Sequence, residues 1–200
     1  IKDTIKNINI VIGCSIGCSY CYARMNNNRF HTIDDFNKPV FFENKLKMLD
    51  NKRHTAYLLT GQSDLSGWNE EWKDKVFSKM KENENTQYIF LTKRPENIKL
   101  KETPDNGWFG VTVTSSKEKT RIDYLRNNIK AKHYHITFEP MFDDVGKLDL
   151  SNISWIVIGT ETGNRKGKIS SKREWVFNIY NQAKEKNIPV FMKEDLLGIL

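Results

Sequence analysis

Every cysteine of this chain lies in IGCSIGCSYCYARM, residues 12–25. Cys14, Cys18 and Cys21 follow a C-x3-C-x2-C spacing. Thiolates are metal ligands and nucleophiles, so three of them crowded together call for a metal or for redox chemistry. Structural zinc takes four protein ligands, usually as pairs from two segments. The histidines that could complete such a set are His31, His54, His133 and His135, and none forms the second half of a finger pattern. Three cysteines from one short loop would also be an unusual catalytic zinc set. A disulfide would strand one thiol. A [4Fe–4S] cube normally takes Cys thiolates, and three from one loop can hold three corners. The fourth iron then stays open to a small molecule's amine and carboxylate.

Such a loop must be carried by something rigid. Apolar runs of about five residues recur at Ile8–Ile12, Ala56–Thr60, Tyr88–Thr92, Trp108–Val113, Tyr134–Phe138, Trp155–Ile158 and Pro189–Met192. They lack strict polar alternation, as expected of strands buried on both faces of a parallel sheet. Helix-like segments lie between most of them, at Val40–Leu49, Glu70–Asn83, Ser116–Asn128 and Lys172–Lys186. In the second, Trp72, Val76, Phe77 and Met80 make one apolar stripe. Asn187 closes the last helix before Pro189. The stretch from Phe138 to Ser154 shows no helical pattern and is expected to cross over as a loop. The repeated strand–helix units predict one α/β domain over residues 1–200, either an open sheet or a barrel of about six to seven mainly parallel strands.

Polar residues gather where each apolar run ends. They are Gly13-Cys14, Gly61-Gln62-Ser63-Asp64, Lys93-Arg94, Thr112-Val113-Thr114, Glu139-Pro140, Thr160-Glu161 and Lys193-Glu194. The carboxyl ends of parallel strands form the active face of such folds. The pattern therefore predicts an enzyme whose polar groups meet at one mouth.

The cysteine spacing, with Tyr20 just before the third cysteine, resembles the loop of the radical S-adenosylmethionine (SAM) superfamily. The stretches GCSYCYA, SDLSGWN, IFLTKRPENI, WFGVTV, ITFEPM, WIVIGTETG and PVFMKE further resemble the ordered motifs of its phage-protein-related family, over roughly residues 8–195. Many relatives have a longer insertion between the first two cysteines, and this chain has the standard three residues. The resemblance implies a partial (β/α) barrel of radical SAM type with the cluster at its mouth. It also implies cleavage of SAM to methionine and a 5′-deoxyadenosyl radical, with an external electron donor such as flavodoxin or ferredoxin. Compact length and cysteine spacing point to the queuosine (queuine) lyase branch, which serves queuine salvage by releasing the base from queuosine 5′-phosphate. A radical modification of a nucleobase in tRNA or DNA is the alternative within the superfamily. A zinc-stabilised binding protein is the alternative outside it.

Site roles follow from the same resemblance. Cys14, Cys18 and Cys21 are the iron ligands, and Tyr20 meets the adenine of SAM through its backbone carbonyl. Gly61, Gln62, Ser63 and Asp64 resemble the segment that binds the methionine amine; an ordinary capped turn is the plainer role. Thr112 and Thr114 resemble contacts to the SAM ribose or carboxylate, though threonine is also a good strand former. Lys93 and Arg94 could pair with a carboxylate or phosphate, or simply be solvated at a helix start before Pro95; Arg24 and Arg165 are weaker phosphate candidates, with plain surface charge as their simpler role. Glu139 and Glu161, with Lys93, are the candidate catalytic residues. Either glutamate, with Lys193 beside them, could hold the donors of a guanine-like edge, or pair internally with Lys93 or Lys193. Tyr22 is expected to pack, as are Trp108 and Trp155 in the core. His133 and His135 share one strand face and are expected to pack or hydrogen-bond.

Composition narrows the setting. Two hundred residues suffice to bury about 70% of the unfolded surface without staples. The net charge of +7, from 32 Lys+Arg against 25 Asp+Glu, suits an anionic partner or simply a solvated surface. No RNA-binding module or basic arm stands out, so a free nucleotide is expected rather than stable nucleic-acid binding. No apolar run reaches the about 18 residues of a membrane span, and IKDTIKNINI lacks a signal-peptide pattern. The chain does not open on Met, so residues are expected to precede it. Clustered, unpaired cysteines predict a reducing cytosol.

Overall fold

The computed structural model describes residues 5–51 and 55–200. Its main sheet has seven strands: β1 (Ile5–Asn7), β4 (Ala56–Leu58), β5 (Gln87–Thr92), β6 (Gly107–Thr112), β7 (His133–Phe138), β8 (Ile153–Ile158) and β9 (Val190–Met192). They lie side by side in chain order and all pair parallel. The sheet curls into a half-barrel open between β1 and β9. A two-stranded ribbon, β2 (Val11–Ile12) against β3 (Val40–Phe41), stands beside it.

The convex face holds the core. Helix α2 (Glu70–Glu82) buries Val76, Phe77 and Met80, the stripe its periodicity predicts. Phe77 meets Phe90 and Phe109 edge-on, and those two rings stack 4.9 Å apart. Each buried phenylalanine contributes about 2–3 kcal/mol of transfer free energy. Helices α3 (Thr120–Asn128) and α4 (Arg173–Glu185) bury Ile122, Leu125, Val176 and Ile179. Asn187, at φ 54°, ends α4 as expected. Residues 139–152 cross over without a helix, also as expected.

The N-terminal third departs from the sequence expectation. Ile8–Ile12 is not a strand of the main sheet. Ile5–Asn7 takes that edge, while Val11–Ile12 turns away to pair with Val40–Phe41. The helix expected at Val40–Leu49 is instead β3 followed by a 3-10 turn at Glu43–Asp50. A helix that apolar periodicity does not announce, α1 (Tyr22–Phe30), follows the cysteines. It is poor in apolar residues and carries three consecutive asparagines, weak helix formers. A buried Asn27 closes it by bonding both main-chain groups of Ile33 at 3.0 Å. Among the described residues no helix is long and apolar enough to cross a membrane.

Candidate functional site

The departure of the ribbon from the sheet is what delivers the cysteines. Beyond β2 the chain turns at Gly13, where φ is +113° and an added Cβ would lie 2.9 Å from Pro39 Cα. Only glycine fits that turn. Gly13 N then donates to Gln62 O at 2.9 Å, and Gly13 pairs with Ser63 as an isolated parallel bridge. The Tyr22 hydroxyl donates to Gly61 O at 2.6 Å, a tie that goes beyond packing. The cysteine loop is thereby fastened along the segment that follows β4.

Cys21 caps α1, its Sγ accepting from Arg24 N at 3.4 Å, so the positive end of the helix dipole sits beside the sulfurs. All three cysteines are free thiols and half-buried. Burial pushes the Cys14 thiol up, and the charges of Asp64, Cys18 and Cys21 add to the rise. A main-chain hydrogen bond at Ile16 works the other way. The Arg24 guanidinium braces it, donating to Cys14 O at 2.8 Å and Asn37 Oδ1 at 3.0 Å while lying over Phe36.

The loop opens on a cavity of about 520 Å3. Its wall includes Cys14, Cys18, Tyr20, Cys21, Gly61, Gln62, Ser63, Asp64, Lys93, Thr112, Glu139, Glu161 and Lys193. Residues from seven separate predicted segments thus share one mouth. Arg24, Arg94, Arg165 and Thr114 are not in that wall, Arg165 reaching it through its pair with Glu161. Arg94 bonds through its main chain to Thr92. Thr114 is buried, with its amide and hydroxyl both donating to Glu118.

Several wall residues are already partnered. Asp64 Oδ1 accepts from Ser66 N, Ser66 Oγ and Thr92 Oγ1, while Oδ2 accepts from Lys93 N. This carboxylate welds the ends of β4 and β5 together; beside it Ser63 Oγ accepts from Trp68 Nε1 at 3.0 Å and keeps a second lone pair. The Lys93 ammonium lies 5.7 Å from the centre of the Tyr20 ring, and Tyr20 meets Phe142 edge-on at 5.4 Å. Burial, reinforced by Cys18, pushes the Tyr20 phenol well up, so it stays neutral. Glu139 pairs with Lys193, which also lies 3.4 Å from Asp195. Burial works against the Lys193 charge, but the two carboxylates outweigh it and its pKa rises.

Glu161 has a different partner from the lysines expected. Arg165 grips both its oxygens, Nη2 reaching Oε2 at 2.8 Å, and Ile169 N adds a contact at 3.3 Å. The guanidinium holds the Glu161 carboxyl below the usual range although the side chain is only 3% exposed. A carboxylate with a basic run four to twelve residues on was the available sequence signal for this pairing.

A second hollow of about 630 Å3 continues down the concave face. It shares Leu58, Leu91, Thr137, Glu139 and Lys193 with the first. Trp155 lines it rather than joining the core, and Trp108 stacks on His133 at 4.4 Å. The His135 ring lies across Gly110, where an added Cβ would come within 2.4 Å of it. Its Nε2 bonds Phe90 O at 3.0 Å. Burial pushes its pKa down to about 4.

The family described as "Protein of unknown function (DUF5131)" matches residues 1–195. The chain belongs to that family. No curated protein and no solved structure matches it.

The donor set can be tested against the expected metal groups. Among the described residues no three His, Cys, Asp or Glu side chains gather around a point as one metal ion requires; His54 lies outside those residues. A single zinc draws its ligands into one tight tetrahedron. An iron–sulfur cube spreads its thiolates over separate irons. Three free thiols lining one cavity offer the donor type such a cube takes.

Proposed function

We propose that the chain is a radical SAM enzyme acting on a modified nucleotide, with release of queuine from queuosine 5′-phosphate as its reaction. One observation carries the reading: all three thiols line a single cavity together with the polar ends of the strands. A [4Fe–4S] cluster at Cys14, Cys18 and Cys21 would leave one iron open to SAM and supply the electron that cleaves it to methionine and a 5′-deoxyadenosyl radical.

The chain's own residues bind and orient. Gln62 and Ser63 offer acceptors to the methionine ammonium, on a segment that Asp64 keeps rigid. Thr112 and the Tyr20 main chain serve the nucleoside part of SAM. Lys93, stacked over Tyr20, provides positive charge for a carboxylate at the mouth. Glu139 and Glu161 meet the N–H donors of the deazaguanine base, and Lys193 pairs with Glu139 to hold it in place. The apolar hollow below, with Trp155 in its wall, takes the bulk of the base and excludes water from it.

Anaerobic protein should carry about four irons per chain. Reduced and incubated with SAM and queuosine 5′-phosphate, it should release queuine and 5′-deoxyadenosine together. Stoichiometric zinc with no iron would overturn the cofactor. Slow 5′-deoxyadenosine formation indifferent to the nucleotide would overturn the substrate.

A further inference from the structure

The buried Glu161 carboxylate of the mouth is held by a side chain from an exposed segment. Glu161 is buried in the cavity wall, whereas Arg165 stands on the exposed segment between Thr162 and Ser170. That segment turns at Gly163 (φ +80°) and Gly167 (φ +75°). Besides the pair with Glu161, the strap is tied within itself by Lys168 Nζ donating to Gly163 O at 3.4 Å. Among the described residues Arg165 otherwise donates only to the main-chain oxygens of Lys166 and Gly167. The base of the segment is fixed: Ser171 N donates to Thr160 Oγ1 at 3.0 Å, and Ser171 Oγ donates to Met141 O at 3.2 Å. An exposed, non-helical strap on a fixed foot results.

The strap is strongly basic. It carries Arg165, Lys166 and Lys168 without an acid among residues 162–170, and Lys172 and Arg173 follow where α4 begins. Among the described residues, Lys166, Lys168 and Lys172 form no ion pair. An excess of positive charge on one exposed segment attracts an anion, and a guanidinium takes phosphate bidentately. Phosphate at this place would compete with Glu161 for the same fork of N–H groups.

We propose that Arg165 is the phosphate-binding residue of this site, stored on Glu161 until a ligand supplies both an anion for Arg165 and N–H donors for the carboxylate it leaves. This rests on the nucleotide reading above and specifies which chemical class the site selects. A buried carboxylate stripped of its cation is costly. Phosphate alone must bear that cost, and so must a base without phosphate. A nucleoside 5′-monophosphate relieves it at both ends, so the exchange couples recognition of base and phosphate.

Calorimetric titration of the anaerobic, cluster-loaded protein with inorganic phosphate, guanosine and guanosine 5′-monophosphate tests this. Glu161→Gln frees Arg165 and should tighten inorganic phosphate about tenfold. Arg165→Ala should weaken guanosine 5′-monophosphate by about tenfold to a hundredfold, the worth of a charged hydrogen-bond pair. It should not weaken guanosine, and Arg165→Lys should recover part of the loss. Effects of opposite sign on the two partners are the mark of a stored ligand. If Glu161→Gln leaves phosphate binding unchanged or weaker, or Arg165→Ala leaves the nucleotide unaffected, the assignment is overturned. These titrations do not depend on turnover. Intact phosphate effects with no queuine release would overturn the lyase reading and leave the phosphate site standing.

Discussion

The two faces of one sheet handle burial in opposite ways. On the convex face Phe77, Phe90 and Phe109 interlock as rings and need no partner beyond one another. On the concave face Glu139, Glu161 and Asp64 are each held by a specific cation or amide. Apolar packing is non-directional and scales with area, so the convex side stores stability. Paired charges return little net stability but keep groups oriented and exchangeable, so the concave side stores chemistry. A substitution should therefore register as stability on one side and as binding or turnover on the other.

The largest expected effect lies at the mouth. Cys14→Ala should abolish iron binding and SAM cleavage, while the unfolding free energy of metal-free protein changes by less than about 1 kcal/mol. An equal loss of stability would erase the distinction between the faces. On the convex side Phe90→Ala should cost about 3–5 kcal/mol in urea unfolding. Iron content of the surviving folded protein should be unchanged.

His135 crosses the divide, since it lies on the concave strand face yet is fully buried. Its folded pKa of about 4 lies below the ordinary imidazole value of 6.5. The unfolded chain thus binds a proton between those pH values and the folded one does not. Stability from this residue is complete above about pH 6.5 and is lost as the pH falls toward 4, on the order of 3 kcal/mol. His135→Phe should flatten the acid side of the stability curve by that amount; an unchanged slope would show the ring to be solvated.

Smaller again is Gly13→Ala, at roughly 1–3 kcal/mol from the strained φ and the contact with Pro39. Iron loading should fall with it, because the same turn aims Cys14. Asp105→Asn is the lower limit: it removes an exposed pair with Lys132 and should change stability by less than about 0.5 kcal/mol.

Much of this was legible in the residues themselves. The apolar runs at Tyr88–Thr92, Tyr134–Phe138 and Trp155–Ile158 fall within main-sheet strands because both faces of a central parallel strand are covered. The α2 stripe was readable because 3.6-residue periodicity needs no knowledge of the partner. Trp108 and Trp155 misled, since aromatic residues suit a core and a hollow equally. The ribbon and α1 were illegible for a stronger reason: Val11–Ile12 pairs with residues nearly thirty positions on, and α1 depends on Asn27 reaching Ile33.

The sequence alone set the thiol spacing, the order of strands and the polar residues at their ends, because these follow from local pattern. Which of those polar residues are committed and which remain exchangeable was decided by the tertiary structure. Asp64 is consumed by Thr92 and Lys93, and Glu139 is matched to Lys193 across 54 positions. Glu161 is given to Arg165 by a non-helical strap whose foot is fixed on Thr160 and Met141. A charge shows in the sequence, but its partner depends on where the backbone brings the opposite charge.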